Sequence, residues 1–239
     1  MTVCAGALTL CCADMDARPL FWTLAGGGRD GYEPRVAGLV AERLGLDPVW
    51  EFRRWDRFQP ALEANQVDAI WCGSAITAER RRVFSYSRPY AAFDEGVLVA
   101  ESSSIRWADD LVGRTIGAIA GSTNMRLAET LGAGRLVPFD GSSDDVFAEM
   151  LDAVASGKID AMVDDMPAFG GVLERGGFRL AHVAPTQNAW GAACRLGDDE
   201  TVSAIDRGLA AAIADGAVEH EWRRWFPSIP IPATLMAPS

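Results

Sequence analysis

The residue types that most often carry covalent or metal chemistry are sparse in this chain and poorly spaced for it. Its histidines are His182 and His220, its sole lysine is Lys158, and its five cysteines are Cys4, Cys11, Cys12, Cys72 and Cys194, with no Cys-x-x-Cys. Zinc-ligand spacing is absent, and an odd count with adjoining Cys11 and Cys12 argues against a disulfide framework, so buried free thiols are expected. Lys158 lies in a Ser-Gly-Lys turn, which leaves a phosphate loop or a Schiff base almost no candidate. One spacing does match a cofactor motif: Gly26-x-Gly28-x-x-Gly31, between a strand and a helix, with Glu51 placed to meet a ribose. In a dinucleotide fold the first glycine directly follows the strand and the third lies inside the helix. Here more than ten residues separate the strand from Gly26, and Pro34 opens the helix after the motif has ended. A plain glycine loop is expected, with no cofactor, no metal ligand and no catalytic residue.

The elements that must position any site read as strands alternating with helices. Ala7 to Ala13 is a strand ending at Asp14, Val36, Leu39, Val40 and Leu44 repeat at helical spacing up to Gly45, and Pro48 to Phe52 is a second strand. Asp56 is suited to cap a helix running to Ala64, Val67 to Cys72 is a third strand, and Thr77 caps a short helix carrying Arg80, Arg81 and Arg82. The second half repeats the pattern: a strand over Thr115 to Ala120, Ser122 as cap of a helix to about Leu131, a strand over Leu136 to Phe139, and a helix from Ser142 and Ser143 to Gly157. Leu62-Glu-Ala-Asn-Gln-Val-Asp-Ala-Ile70 matches Val154-Ala-Ser-Gly-Lys-Ile-Asp-Ala-Met162 in its turn, its β-branched residue and its Asp-Ala pair. Two α/β lobes of similar topology with mostly parallel sheets follow, since each parallel pair needs a crossover helix. Such sheets bind ligands at the carboxyl ends of their strands. A strand near Gly191 to Arg195, a helix from about Glu200 to Ala214 with its stripe Val202, Ile205, Leu209 and Ile213, a shorter helix ending at Trp222 to Phe226, and a proline-rich non-helical tail complete the chain.

With 239 residues, 49% of them hydrophobic, the chain can build two lobes of about 100 residues. Twenty-two basic against 33 acidic residues leave a net charge of −11, and no basic run is present, which argues against nucleic acid and anionic membranes as partners. Met1 to Ala13 is too short to span a bilayer and lacks both a basic start and a small-x-small cleavage site, so it does not read as a signal peptide. Either the protein stays inside the cell or this chain begins after its leader.

A more specific pattern runs through Trp55-Asp-Arg-Phe, Val67-Asp-Ala-Ile-Trp-Cys-Gly-Ser-Ala-Ile-Thr-Ala-Glu-Arg-Arg-Arg82 and Phe84-Ser-Tyr-Ser-Arg-Pro-Tyr90. It resembles the extracytoplasmic solute-binding proteins of family 3, the polar amino-acid receptors of ABC importers. Gly31-Tyr-Glu, Asp110-Leu-Val-Gly-Arg-Thr-Ile-Gly-Ala, Asp160-Ala-Met-Val-Asp-Asp-Met-Pro, Trp190-Gly and Asp215-Gly to Trp225-Phe226 fall in the same order, so the resemblance covers nearly the whole chain. It implies a type II periplasmic-binding fold: residues 1–92 and 194–239 as one lobe, 96–188 as the other, and hinge crossovers near 90–95 and 189–193, with a ligand cleft between the lobes.

The same resemblance assigns roles for gripping a zwitterion. Arg80 takes the position of the carboxylate clamp, whose planar fork offers two parallel charged hydrogen bonds; a solvated basic face with Arg81 and Arg82 is the structural alternative. Gly73 and Ser74 offer backbone groups at a strand end, and Ala75 replaces a hydroxyl residue common there, a loss that Ser74 offsets only if its side chain turns inward. Asp165 corresponds to the amine-binding carboxylate, with Asp164 as its neighbour on the opposite strand face and helix capping as the competing role. Trp55 occupies the position of a stacking aromatic and Asp14 that of an amine or side-chain contact, while Ala17 stands where relatives carry a second aromatic that Phe21 or Trp22 would have to replace. Ser122, Thr123 and Asn124 open a helix whose N–H groups suit a carboxylate.

The resemblance therefore implies a monomeric protein, periplasmic or extracellular, that closes on an amino acid or amino-acid derivative and is read by the membrane subunits of an ABC transporter. A cyclohexadienyl dehydratase-like enzyme on the same scaffold and a ligand-sensing domain are the alternatives.

Overall fold

The apolar run at the start of the chain forms β1 (Ala7–Cys12), whose side chains are buried from Leu8 onward, in a computed structural model that describes residues 2–236. A hairpin of β2 (Trp22–Thr23) and β3 (Arg29–Asp30) follows, then α1 (Tyr32–Arg43), β4 (Asp47–Phe52), α2 (Phe58–Glu63), β5 (Ala69–Ile70) and β6 (Phe84–Tyr86). The chain continues through β7 (Ala91–Ala100), β8 (Thr115–Ile119), α3 (Thr123–Thr130), β9 (Arg135–Phe139), α4 (Val146–Ala155), β10 (Ala161–Asp165), α5 (Gly170–Arg175) and β11 (Phe178–Trp190), and ends with β12 (Ala193–Arg195), α6 (Asp199–Ala214) and α7 (Ala217–Trp225). Residues up to Asp16, Leu20–Ala92 and those from Asn188 onward form one compact unit; Ala17–Pro19 and Phe93–Gln187 form the other. Nothing in the sequence pattern assigns residues 17–19 to the second unit.

The sheet of the first unit has the order β4-β1-β5-β12-β6, and that of the second β11-β7-β10-β8-β9. In each, a central strand pairs in parallel with two neighbours: β1 with β4 and β5, β8 with β9 and β10. An antiparallel strand then extends the trio, β12 beside β5 and β7 beside β10. The internal repeat seen in the sequence maps onto this symmetry down to single bonds. Asn65 (φ 52°) and Gly157 (φ 71°) make the same left-handed turn after α2 and α4. Asp68 accepts the Thr9 N–H at 2.7 Å, and Asp160 accepts the Thr115 N–H at 2.8 Å, each at the edge of its unit's central strand.

In the first unit α1 packs on β4 and on α6, close enough to the latter that a Cβ on Gly208 would stand 2.9 Å from the Val40 side chain. Tyr32 at the start of α1 meets Trp222 and Phe226 of the α7 end, with ring centroids 5.5 and 5.0 Å apart. In the second unit Val97, Val99, Ile116, Ala161 and Val163 bring three strands onto the α3 side chains of Met125 and Ala128. Cys11, Cys12, Cys72 and Cys194 are buried, Cys4 is exposed, and all five thiols are free.

Several elements depart from the sequence reading. Pro34 is the third residue of α1 rather than the first; its missing N–H still falls among the first-turn groups that have no intrahelical partner. Asp56 caps no helix: it lies in a 3-10 turn, Trp55–Arg57, with its carboxylate 3.4 Å from Arg57 Nε. The third strand shrinks to Ala69–Ile70, because Gly73 (φ 58°) turns the chain, although Asp68 and Trp71 still bond to Thr9 and Cys11 of β1. The helix expected from Ser142 and Ser143 starts at Val146, since the Asp145 carboxylate takes the Ala148 N–H (2.9 Å) while Asp140 holds the Ser142 N–H in a turn. The tail forms a further 3-10 turn, Ala233–Leu235, that buries Leu235.

The paired aspartates yield a test. Asp68 is buried and also accepts the Val3 N–H, whereas Asp160 is exposed. Replacing Asp68 with Ala strands two N–H groups, one of them buried, and is expected to lower stability by about 3 kcal/mol, against about 1 kcal/mol for Asp160→Ala. Urea unfolding of both variants measures the difference.

Candidate functional site

In the first unit the carboxyl ends of β1, β4 and β5 carry the segments to which the sequence reading assigned chemistry. Thr77 starts the short turn Arg80–Arg82 as expected: its hydroxyl accepts the Arg80 N–H (3.1 Å) and its carbonyl the Arg81 N–H (2.9 Å). This places the Arg80 guanidinium 5.4 Å from the ring centroid of Trp55 and its Nη1 3.4 Å from the Ala75 carbonyl. Trp55 is 37% exposed and packs its other neighbour, Phe58, at 5.1 Å. Trp55 and Arg80 are thus brought together, and the indole face holds the Arg80 guanidinium itself.

Ser74 is buried, and its hydroxyl lies 3.0 Å from the Tyr86 hydroxyl, which also reaches the Ala75 carbonyl. The inward turn needed to offset Ala75 therefore leads into a bond with Tyr86. The Gly73 N–H donates to Glu33 Oε1 at 2.7 Å, and the Ser74 carbonyl accepts the Gly191 N–H. Both groups that the sequence reading offered to a ligand have protein partners here.

Asp14, exposed beyond β1, accepts a 2.5 Å hydrogen bond from Thr23. Beside it, Arg29 donates to the Ala13 carbonyl (2.8 Å) and lies over Phe21, Trp50 and Phe52 at 4.6, 5.5 and 5.3 Å. Phe21 is buried under this guanidinium, and Trp22 packs edge-on against Trp225 at 5.5 Å, so both candidate replacements for an aromatic at Ala17 have packing partners of their own.

In the second unit Ser122 caps α3 with its whole hydroxyl, accepting the Met125 N–H (3.0 Å) and donating to the Ile119 carbonyl (2.6 Å). Thr123 is the first helical residue and half-buried. Asn124 is buried and donates its amide to Glu95 Oε1 at 3.1 Å. Glu95 lies on β7 directly across from Asp165 of β10, and Asp164 pairs with Gly96. Asp164 Oδ1 accepts the Asp165 N–H (2.7 Å); burial pushes the Asp164 carboxyl up, and the nearby Glu95 charge adds to the rise. Asp165 is half-buried at the start of the 3-10 turn Met166–Phe169, and its side chain makes no capping bond there, so capping is not its role.

Two buried glutamates escaped the sequence reading. Glu33 is 1% exposed, accepts from Gly73 and from the Tyr90 hydroxyl, and is pushed up from 4.5 to about 7 by burial, against the pull of those bonds and of Arg29. Because that value lies above a free glutamate's, the folded protein holds the proton more tightly than the unfolded chain. The contribution to stability is present at low pH and is lost as pH rises from 4.5 to about 7. Glu95 is the second. Glu33 stands in the Gly31-Tyr-Glu motif with no role given to it, and Glu95 directly follows Asp94, so neither has a local signal of its burial.

Among the described residues no group of three His, Cys, Asp or Glu side chains could hold a metal ion, and no helix is long and apolar enough to cross a membrane.

Comparison with known proteins is consistent with this arrangement. The probable amino-acid ABC transporter-binding protein of Haemophilus influenzae is 27% identical over 205 residues, covering 84% of this chain and 77% of that protein. An ancestral arginine-binding protein bound to glutamine has the same fold, with a TM-score of 0.82 and 25% identity over 93% of this chain and 99% of that one. An ancestral amino acid-binding protein, a precursor of cyclohexadienyl dehydratase, matches with a TM-score of 0.78 and 25% identity over 92% and 95% of the two chains. The family profile matches residues 10–228, and the chain belongs to the bacterial extracellular solute-binding proteins, family 3.

Proposed function

We propose that this protein binds a free amino acid or a close derivative and presents it to the membrane subunits of an ABC importer outside the cytoplasmic membrane. The observation that carries this reading is Arg80, fixed by the Thr77 cap and the Ala75 carbonyl and laid on the Trp55 ring. A guanidinium held at two points loses little freedom on taking up a carboxylate, and its fork matches the two oxygens. Asp165 would supply the counter-charge for the ammonium, and the first-turn N–H groups of Thr123 and Asn124 a second set of donors. On this reading the ligand shifts a population of conformers toward the one it binds best, and no covalent chemistry is required.

A second reading draws on Asp164. A carboxyl raised by burial beside Glu95 is the kind of group that protonates a leaving hydroxyl, as a dehydratase requires. Turnover of arogenate or prephenate would establish that reading; saturable binding without product excludes it.

The binding reading predicts a thermal shift with at least one amino acid in a screen of the common set, since a ligand at about 100 times its dissociation constant adds about 2.7 kcal/mol to the native state. With that ligand, Arg80→Ala is expected to lose about 3 kcal/mol of affinity, roughly 100-fold, while the unfolding midpoint of the free protein stays within about 2 °C. Trp55→Ala, which leaves the charge but removes its platform, is expected to cost roughly fivefold. Unchanged affinity in Arg80→Ala by calorimetry overturns the assignment.

A further inference from the structure

The loop that leads from β5 to Arg80 is held from within by Glu33, a side chain to which the amino-acid reading gives no role. A single oxygen, Oε1, takes both the Gly73 N–H (2.7 Å) and the Tyr90 hydroxyl (2.5 Å), while Oε2 is buried without a hydrogen bond. Tyr90 is itself fully fixed. Its N–H donates to the Trp190 carbonyl (2.9 Å), its carbonyl accepts the Tyr32 hydroxyl (2.6 Å), and its ring stacks on Trp71 at 4.7 Å. β7 starts one residue after Tyr90 and leaves the first unit after Ala92, and β11 re-enters it at Asn188, two residues before Trp190. The Trp190 ring also lies under Gly73, where an added Cβ would meet it at 3.5 Å. Further along the same loop, Ala75 bridges Trp190 and carries the carbonyl to which Arg80 bonds.

One carboxylate therefore joins the start of the loop to the residue from which a crossing strand departs. The geometry requires an acceptor strong enough to hold two donors where no water competes. We propose that Glu33 is a positioning residue for ligand capture, fixing the Gly73–Ile76 loop, and with it the seat of Arg80, against Tyr90 at the root of β7. The affinity consequence rests on the amino-acid reading of Arg80; the loop consequence does not.

The groups that face Glu33 define its pH behaviour. They are Arg29 after the β2–β3 turn, Cys12 at the end of β1, Cys72 after β5, Tyr32 on its own helix, and Tyr90. Burial pushes both thiols and both phenols up, the Cys72 thiol to about 12. Between about pH 5 and 9 Glu33 is thus the member of this group that changes charge. Burial holds the Glu33 carboxyl at about 7, so an opening that hydrates it is favoured once it ionises, and the loop is held less firmly on the alkaline side.

The test uses the full chain with Glu33→Ala, Glu33→Gln and Tyr90→Phe. Amide exchange at Gly73 is followed by NMR, and L-arginine, L-glutamine, L-histidine and L-lysine are titrated by calorimetry. Glu33→Ala is expected to lose protection at Gly73 by about tenfold or more, with amides such as Val40 in the same unit unchanged, and to lose about tenfold in affinity for whichever of the four binds the native protein. Glu33→Gln, which keeps an oxygen acceptor, recovers most of both losses. In the native protein, Gly73 protection relative to the intrinsic exchange rate falls through a step near pH 7 that Glu33→Gln lacks. Tyr90→Phe falls between the native protein and Glu33→Ala, and it decides the matter together with Glu33→Gln if Glu33→Ala does not fold. Native protection at Gly73 in Glu33→Ala, or an equal loss throughout the unit, overturns the proposal. Failure of the native protein to bind any of the four amino acids speaks against the proposed function within that set and leaves the exchange result to judge Glu33.

Discussion

Several layers of the first unit combine to fix one guanidinium, that of Arg80, to which the proposed function gives a ligand carboxylate. Arg80 has three points of support: the Thr77 cap on its backbone, the Ala75 carbonyl on Nη1, and the Trp55 ring beneath its plane. Each depends on a further layer. Ala75 is held by its bridge to Trp190 and by the Tyr86 hydroxyl, itself bonded to Ser74. Gly73 is held by Glu33, and Glu33 by the first turn of α1, whose N-cap Gly31 has φ 121° and no room for a Cβ, since one would stand 2.5 Å from the Leu20 carbonyl. The order in the chain of causes runs from a glycine conformation, to a helix start, to a buried carboxylate, to a loop, to the charge.

The two units share a sheet design but diverge in the chemistry they place on it. Both have a central strand with parallel neighbours, and both fasten the third strand with an Asp-Ala pair whose carboxylate bonds to the central strand. Beyond that the first unit offers cations and aromatics, Arg29, Trp55 and Arg80, whereas the second offers Glu95, Asp164 and Asp165 near the start of α3.

What the sequence made legible follows from how local each signal is. The turn at Asn65 and Gly157, the cap at Ser122 and the Thr77 cap are decided by a few neighbouring residues, and they form where the patterns place them. The repeated Asp-Ala pair was visible as a match of nine residues, although its role as a clamp on a strand some 45 to 59 positions away was not. Signals that depend on partners distant in the chain failed. Asp56 had the right type for a cap, but the segment from Trp55 closes into a tighter turn that takes it out of register. Ser142 and Ser143 lost to Asp145, a stronger acceptor two residues further on. Gly73 and Ser74 were correctly placed at a strand end, yet their partners, Glu33, Gly191 and Tyr86, lie 40, 117 and 12 residues away. Family resemblance located the positions of a site and was silent on which of them the protein itself holds.

The two buried glutamates show why that silence matters. An ionised carboxylate removed from water is costly unless donors replace its hydration, and a salt bridge is only one way of supplying them. Glu33 uses a backbone N–H and a phenol; Glu95 uses an amide, with Asp164 near enough to raise the cost further. Neutral donors hold a carboxylate without cancelling its charge, so each unit keeps a negative potential just behind the groups assigned to the ligand. In the first unit that potential lies behind Gly73, where it opposes an anion, and the cations Arg29 and Arg80 stand on the same side of the balance as the guest's carboxylate requires. In the second unit Glu95 lies across from Asp165 and, with burial, raises the neighbouring Asp164 carboxyl, so a proton is retained there that an exposed carboxylate would lose.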